Sequence, residues 1–64
     1  MNEYRIKLTD EYWLWGFRDG EEVRVRNHDY AWCLKWKLRA IAIHKRTLGH
    51  YPNSEIVHTE GDGL

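Results

Sequence analysis

The side chains with the most chemical capacity here are four histidines, His28, His44, His50 and His58, and a single cysteine, Cys33. A structural zinc site wants paired ligands at short spacing, such as CxxC or HxxxH. His44 and His50 are six positions apart, and His28 and Cys33 are five apart, so neither pair shares one helix face well. Cys33 would act as a nucleophile only beside a base and in a positive local field; a packed thiol is the simpler reading. Asp29 beside His28 could orient an imidazole, but a helix cap next to a loop histidine is the ordinary explanation. The chain has no glycine-rich phosphate loop, nucleophile elbow or paired carboxylates. The expectation is a protein that is not an enzyme and holds neither metal nor cofactor.

Binding chemistry is better represented. Four Trp and four Tyr are many for 64 residues. Trp is enriched among interface anchors, and Arg combines charge with a planar stacking surface. Ten Lys and Arg balance ten Asp and Glu, which argues against a strongly basic nucleic-acid binder and equally against an acidic mimic of DNA. The balance is uneven along the chain. Residues 1–48 carry ten basic against seven acidic side chains, a difference of +3, and residues 49–64 carry Glu55, Glu60 and Asp62, which is −3.

These groups must be positioned by few elements. Residues 29–48, DYAWCLKWKLRAIAIHKRTL, form the only stretch long enough for a substantial helix, roughly 30 Å at about 1.5 Å per residue. Asn27 and Asp29 can cap its start, Lys45 and Arg46 suit its last turn, and Gly49 and Pro52 follow. At 100° per residue, Tyr30, Leu34, Leu38, Ile41 and Leu48 fall on one side. Trp32, Trp36, Ala40 and Ile43 fall on nearly the opposite side, with Lys35, Arg39 and Arg46 in one seam between the stripes. A helix lying on one sheet needs one apolar stripe, so the second is expected to be a self-association surface, with cover by the chain's own tail as the alternative.

Ahead of the helix, Tyr4-Arg5-Ile6-Lys7-Leu8 alternates apolar and basic residues, Tyr12 to Phe17 is aromatic and strand-like, and Val23-Arg24-Val25-Arg26 alternates again. Asp19-Gly20 is a strong hairpin signal. A two-residue turn there would pair Leu14 with Val25 and put Trp13, Trp15 and Phe17 on the other face. A loop with a bulge at Gly20 would instead gather Trp13, Trp15, Phe17, Val23 and Val25 with Tyr4, Ile6 and Leu8. The second register is preferred because it buries the large apolar groups. Gly16 within a strand suggests a bulge or a close backbone approach. The outer sheet face then carries Arg5, Lys7, Tyr12, Leu14, Arg18, Arg24 and Arg26, a cationic platform for an acidic partner or phosphate. Without a partner it is a solvated face whose arginines pair with Asp10, Glu11, Glu21 and Glu22.

Beyond Gly49, Tyr51-Pro52 and Asn53-Ser54 make a turn, residues 55–59 form a short strand or extended arm, and residues 60–63 fray. The expected class is α+β: a three-stranded antiparallel meander packed on one long helix, with residues 1–49 as the domain and 50–64 as an extended tail. A chain of this length is marginal alone and one cysteine allows no internal disulfide, but four Trp and four Tyr make a compact core feasible without a staple; the homodimer is expected from the second helix stripe. No apolar run approaches the ~20 residues that span a bilayer and no signal peptide is visible. Both observations, with the single cysteine, lead to an expectation of a cytoplasmic protein without membrane contact.

Tyr4-Arg5-Ile6-Lys7, Trp13-Leu14-Trp15, Asp19-Gly20-Glu21 followed by Val23, and Tyr30 leading a helix resemble the YegP-like family of small ββα-type proteins over about residues 4–45. The resemblance implies a meander packed on one helix, paired as a dimer or tandem repeat, and brings no catalytic residues. The Trp-rich, compact character is also similar to that of small accessory proteins of bacteriophages, which implies a host protein as target. The combined expectation is a homodimeric interaction protein. Trp32, Trp36, Ala40 and Ile43 would self-associate, and a protein partner would meet the sheet face together with Lys35 and Arg39. A nucleic-acid accessory protein using the basic sheet face or helix seam is the alternative.

Overall fold

The structure is a computed structural model and describes residues 2–60. It belongs to the α+β class. Four strands, β1 (Asn2–Lys7), β2 (Trp13–Arg18), β3 (Glu21–Val25) and β4 (Glu55–Glu60), form an antiparallel sheet in the order β3-β2-β1-β4. One helix, α1 (Lys37–Thr47), packs on one face against β1 and β4.

Local chemistry explains each turn. After β1, Thr9 Oγ1 accepts the Glu11 and Tyr12 N–H groups and closes a tight reversal. Between β2 and β3, Arg18 pairs with Glu21 across a two-residue loop in which Asp19 has φ 54° and Gly20 φ 82°. That is a type I′ turn, whose twist matches the flanking strands. Asn27 Oδ1 accepts the Asp29 N–H and starts a single 3-10 turn over His28–Tyr30. The Tyr51-Pro52-Asn53-Ser54 turn closes with the Ser54 N–H on the Tyr51 carbonyl and delivers the chain into β4.

The sheet is split. β1 meets β2 at Lys7 opposite Trp13, and the strands then diverge. The gap is filled by the chain between the 3-10 turn and α1. The Trp32 N–H bonds the Leu14 carbonyl at 2.9 Å, and Leu34 exchanges two backbone bonds with Tyr4, at 2.7 and 2.8 Å. A bulge in β2 at Trp15 accompanies the split: Leu14 pairs with Arg24 but Gly16 pairs with Val23. A buried backbone group must find a partner, and this wedge supplies partners to both separated strands.

Directly paired residues share a face. The covered face therefore holds Tyr4, Ile6, Leu8, Tyr12, Leu14, Phe17 and Ile56, and the open face holds Arg5, Lys7, Trp13, Arg18, Val23, Val25 and Val57. The core is Tyr4, Ile6, Leu8, Leu14, Leu34 and Ala40, with Phe17, Trp32, Ile43, Tyr51 and Ile56 packed against it.

Several expectations change. Residues 29–36 are not part of the α-helix: Asp29 and Tyr30 complete the 3-10 turn, Trp32 and Leu34 give their backbone groups to Leu14 and Tyr4, and the α-helix is 11 residues long. Of the two readings of residues 55–59 the strand holds: Glu55–Glu60 is the edge strand β4, paired with β1 along its length, and the Tyr4 and His58 rings stack at 4.8 Å. Glu60 closes β4 rather than fraying, and Gly61, Asp62 and Gly63 lie outside the described residues. The hairpin has the two-residue turn, and its irregularity sits at Trp15 instead of Gly20. Leu14 is thus fully buried while Trp15 is 54% exposed. The helix is also rolled over: its apolar stripe of Leu38, Ile41 and Leu48 faces out, and Ala40, Ile43 and Thr47 face the sheet.

Candidate functional site

The cationic sheet face expected from the sequence is divided between two faces: Trp13 pairs with both Lys7 and Val25, which puts Arg24 and Arg26 opposite Arg5 and Lys7, and the bulge moves Arg18 off the face of Leu14. Arg5, Lys7 and Arg18 lie on the open face with Trp13, where the Lys7 ammonium sits 6.0 Å from the indole and Arg5 pairs with Glu3 at 3.5 Å. Arg24 and Arg26 lie on the helix side at its uncovered end, their guanidinium groups 4.6 and 5.5 Å from the Tyr12 ring. Arg26 also donates to the Tyr12 hydroxyl at 3.3 Å. Leu14 is in the core and leaves the candidate surface. Ala40 leaves the self-association set for the same reason, and Ile43 packs against the core beside it.

The remaining residues are brought together. Trp32, Trp36, Lys35 and Arg39 line one shallow cleft of about 230 Å³ with Cys33 and Leu34. The elements explain the geometry. The wedge is extended, so Trp32 and Trp36 are held by a segment pinned to the sheet. Trp32 turns its edge to Phe17 at 6.5 Å between centroids, and the Arg39 guanidinium lies 5.7 Å from the Trp32 ring. Trp36 is left 73% exposed at the helix cap position.

The electrostatics here are one-sided. Residues 30–54 contain Lys35, Lys37, Arg39, Lys45 and Arg46 and no Asp or Glu, a net of +5 over 25 residues. The helix start adds to this charge. Trp36 makes no side-chain capping bond and the first turn holds no acidic residue, so the free N–H groups and the positive dipole end face outward. From this cleft the outer helix face continues through Leu38, which is 81% exposed, to Ile41, Ala42, Lys45 and Leu48. Tyr30 is also exposed. Exposed aliphatic and aromatic groups clustered in a basic frame are chemically suited to drying against an acidic, partly apolar partner.

The other polar clusters hold the fold. His44 Nε2–H donates to the Ser54 carbonyl at 2.8 Å, and the Thr47 hydroxyl donates to the His44 carbonyl at 2.8 Å. That uses the only Thr47 proton, so the Ser54 hydroxyl donates to Thr47 Oγ1 at 3.2 Å. His50 Nδ1–H donates to Glu22 Oε1 at 2.8 Å and ties the chain after α1 to β3. No group of three or more His, Cys, Asp or Glu is placed to hold a metal among the described residues. Two further clefts, lined by Lys7 to Asp10 with Asn53 and Glu55, and by Glu21, Glu22, His50 and Tyr51, measure about 250 and 300 Å³. Small-molecule sites run from roughly 300 to 1,000 Å³, so all three clefts are at or below the bottom of that range. No helix among the described residues is long and apolar enough to cross a membrane.

Sequence reasoning missed Leu38, Ile41 and Leu48 as surface residues, because their spacing is equally that of a buried stripe. It also missed the acid-free run of residues 30–54, which could be read directly from the chain. No protein-family model matches this chain, and no curated protein or solved structure matches it significantly.

Proposed function

We propose that this is a non-enzymatic interaction protein that docks on an acidic macromolecule through the helix side of the molecule, with another protein as the partner. Trp36 is the anchor, Lys35, Lys37 and Arg39 surround it, and Leu38 and Ile41 extend the contact along the helix. The observation that carries the reading is the pairing of exposed large apolar groups with an unbroken basic frame. The aliphatic members favour protein over nucleic acid. Phosphate contacts need cations and bases stack on aromatics, but neither buries Leu38, Ile41 and Leu48. A phage-borne chain of this kind would find its acidic partner in the host.

The test is affinity capture from the native host with the wild-type chain and with Trp36→Glu, which sets a carboxylate among Lys35, Lys37 and Arg39 and removes the anchor at an exposed position. A protein retained by wild type and lost with the variant supports the reading. Identical retention by both, or binding of single-stranded DNA at 50 mM salt that vanishes by about 200 mM, rejects it. Self-association was expected from Trp32, Trp36, Ala40 and Ile43; only Trp36 of these is exposed, and a wild-type dimer that Trp36→Glu splits in sedimentation would also reject the hetero-partner reading.

A further inference from the structure

The outer face of α1 has a pattern more specific than exposed grease. Leu38, Ile41, Lys45 and Leu48 are spaced three, four and three apart, the stagger by which one helix seats its side chains between those of another. All four are exposed. The inward residues Ala40, Ile43, His44 and Thr47 occupy the other side, so this seam is free of the molecule's own sheet. Resting on the docking reading above, the geometry points to an amphipathic, acidic α-helix of a partner protein as the occupant of the seam, with its apolar stripe on Leu38, Ile41 and Leu48.

Charge selects this occupant over a second copy of the chain. Two copies paired through the seam would bring Lys37 and Lys45 of each helix together, with no acidic side chain between residues 30 and 54 to offset them, while Arg39 and Arg46 lean away over the Trp32 and Phe17 rings. Lys45 lies within the seam itself, where a cation is accommodated when the facing helix offers Asp or Glu beside it. At the N-terminal end, the uncapped first turn and Lys35, Lys37 and Arg39 suit a carboxylate at the end of the partner's contact. The 11-residue helix spans about 16 Å, so two heptads of partner suffice and the affinity should be modest.

The probe is a synthetic 21-residue helical peptide with Leu at the seam positions and Glu at the flanking ones, titrated into the full chain at 50 mM salt. A scrambled peptide of identical composition serves as control. The expected result is saturable micromolar binding to the patterned peptide, at least tenfold weaker binding of the scramble, and at least tenfold loss with Leu38→Asp. Raising salt to 300 mM should weaken binding several-fold. Equal binding of the scramble, no saturable binding, tighter binding to oligo(dT) or to vesicles containing 30% phosphatidylglycerol, or a self-associated chain that the peptide does not dissociate would overturn the inference. Should the peptide fail while Trp36→Glu still abolishes capture of a host protein, the docking reading stands and only the helical nature of the partner falls.

Discussion

Replacing His50 by Ala isolates one contact that ties the end of the helical segment to the far edge of the sheet. Glu22 lies in β3 with its side chain only 3% exposed, and its Oε1 accepts from His50 Nδ1 at 2.8 Å, whereas the His50 side chain is 63% exposed. Fully exposed pairs contribute roughly 0.2–1 kcal/mol, and removing one member of a fully buried pair costs roughly 3–5 kcal/mol. Here the lost partner is wet and the orphaned carboxylate is dry, so the cost should fall between, at about 1.5–2.5 kcal/mol, dominated by desolvation of Glu22. In a domain of this size each kcal/mol moves Tm by about 4–8 °C, so His50→Ala should lower it by roughly 6–20 °C. Urea denaturation followed by circular dichroism gives the free energy. Glu22→Leu in the His50→Ala background should recover part of the loss, because it removes the stranded charge. A His50→Ala variant within about 0.5 kcal/mol of wild type, with no coupling to Glu22 in a double-mutant cycle, would refute the reasoning.

Three further substitutions test the packing in the same assay. Leu38→Ala should change stability by about 0.5 kcal/mol or less, as expected at a surface position, while Ala40→Leu should cost about 1–3 kcal/mol or more by overpacking the fully buried site beneath α1; the reverse ranking would mean the helix is rolled the other way. Gly20→Ala should cost about 1 kcal/mol because φ is 82° there, whereas Gly16→Ala should be near neutral, since a Cβ at Gly16 meets nothing within 4 Å. Thr47→Val preserves shape in a fully buried site but leaves the Ser54 hydroxyl without its acceptor, and should cost about 1–3 kcal/mol.

What could be read from the chain was what local chemistry decides. The alternation in Tyr4 to Leu8, a turn at Asp19-Gly20 and the Pro52 turn each act within a few residues, and each occurs where expected; Asn27 does cap, but it starts a 3-10 turn and not the long helix. What could not be read was decided by distant backbone. Residues 29–36 have a helical pattern on their own, but Leu14 and Tyr4 offer unpaired groups in the split sheet, and tertiary pairing overrides a weak propensity. The same split moved the bulge to Trp15 and exchanged Leu14 for the indole in the core. The orientation of α1 followed from close approach: Ala40 lets the helix backbone lie against β1 and β4, which a stripe of Leu38 and Ile41 would hold away. At the candidate site, the residue types Trp32, Trp36, Lys35 and Arg39 were legible, and their convergence on one cleft was not.

The site coincides with the place where the chain departs from its own local rules. Elsewhere helix starts and turns are satisfied by Asn27, Thr9 and Asp19-Gly20, yet α1 begins behind an exposed Trp36 with no cap and with cations in its first turn. Departures of this kind are expected where a surface serves contact at the expense of stability. Trp36→Asp separates the two demands. The carboxylate would accept from the free N–H groups of the first turn and sit at the positive end of the dipole, worth roughly 0.5–2 kcal/mol, while little burial is lost from a side chain 73% exposed. The variant should therefore be more stable than wild type by about 1 kcal/mol in urea denaturation, and should lose docking altogether. Were Trp36→Asp destabilised by more than about 0.5 kcal/mol, the indole would be supporting the fold, and its exposure could no longer be attributed to a partner.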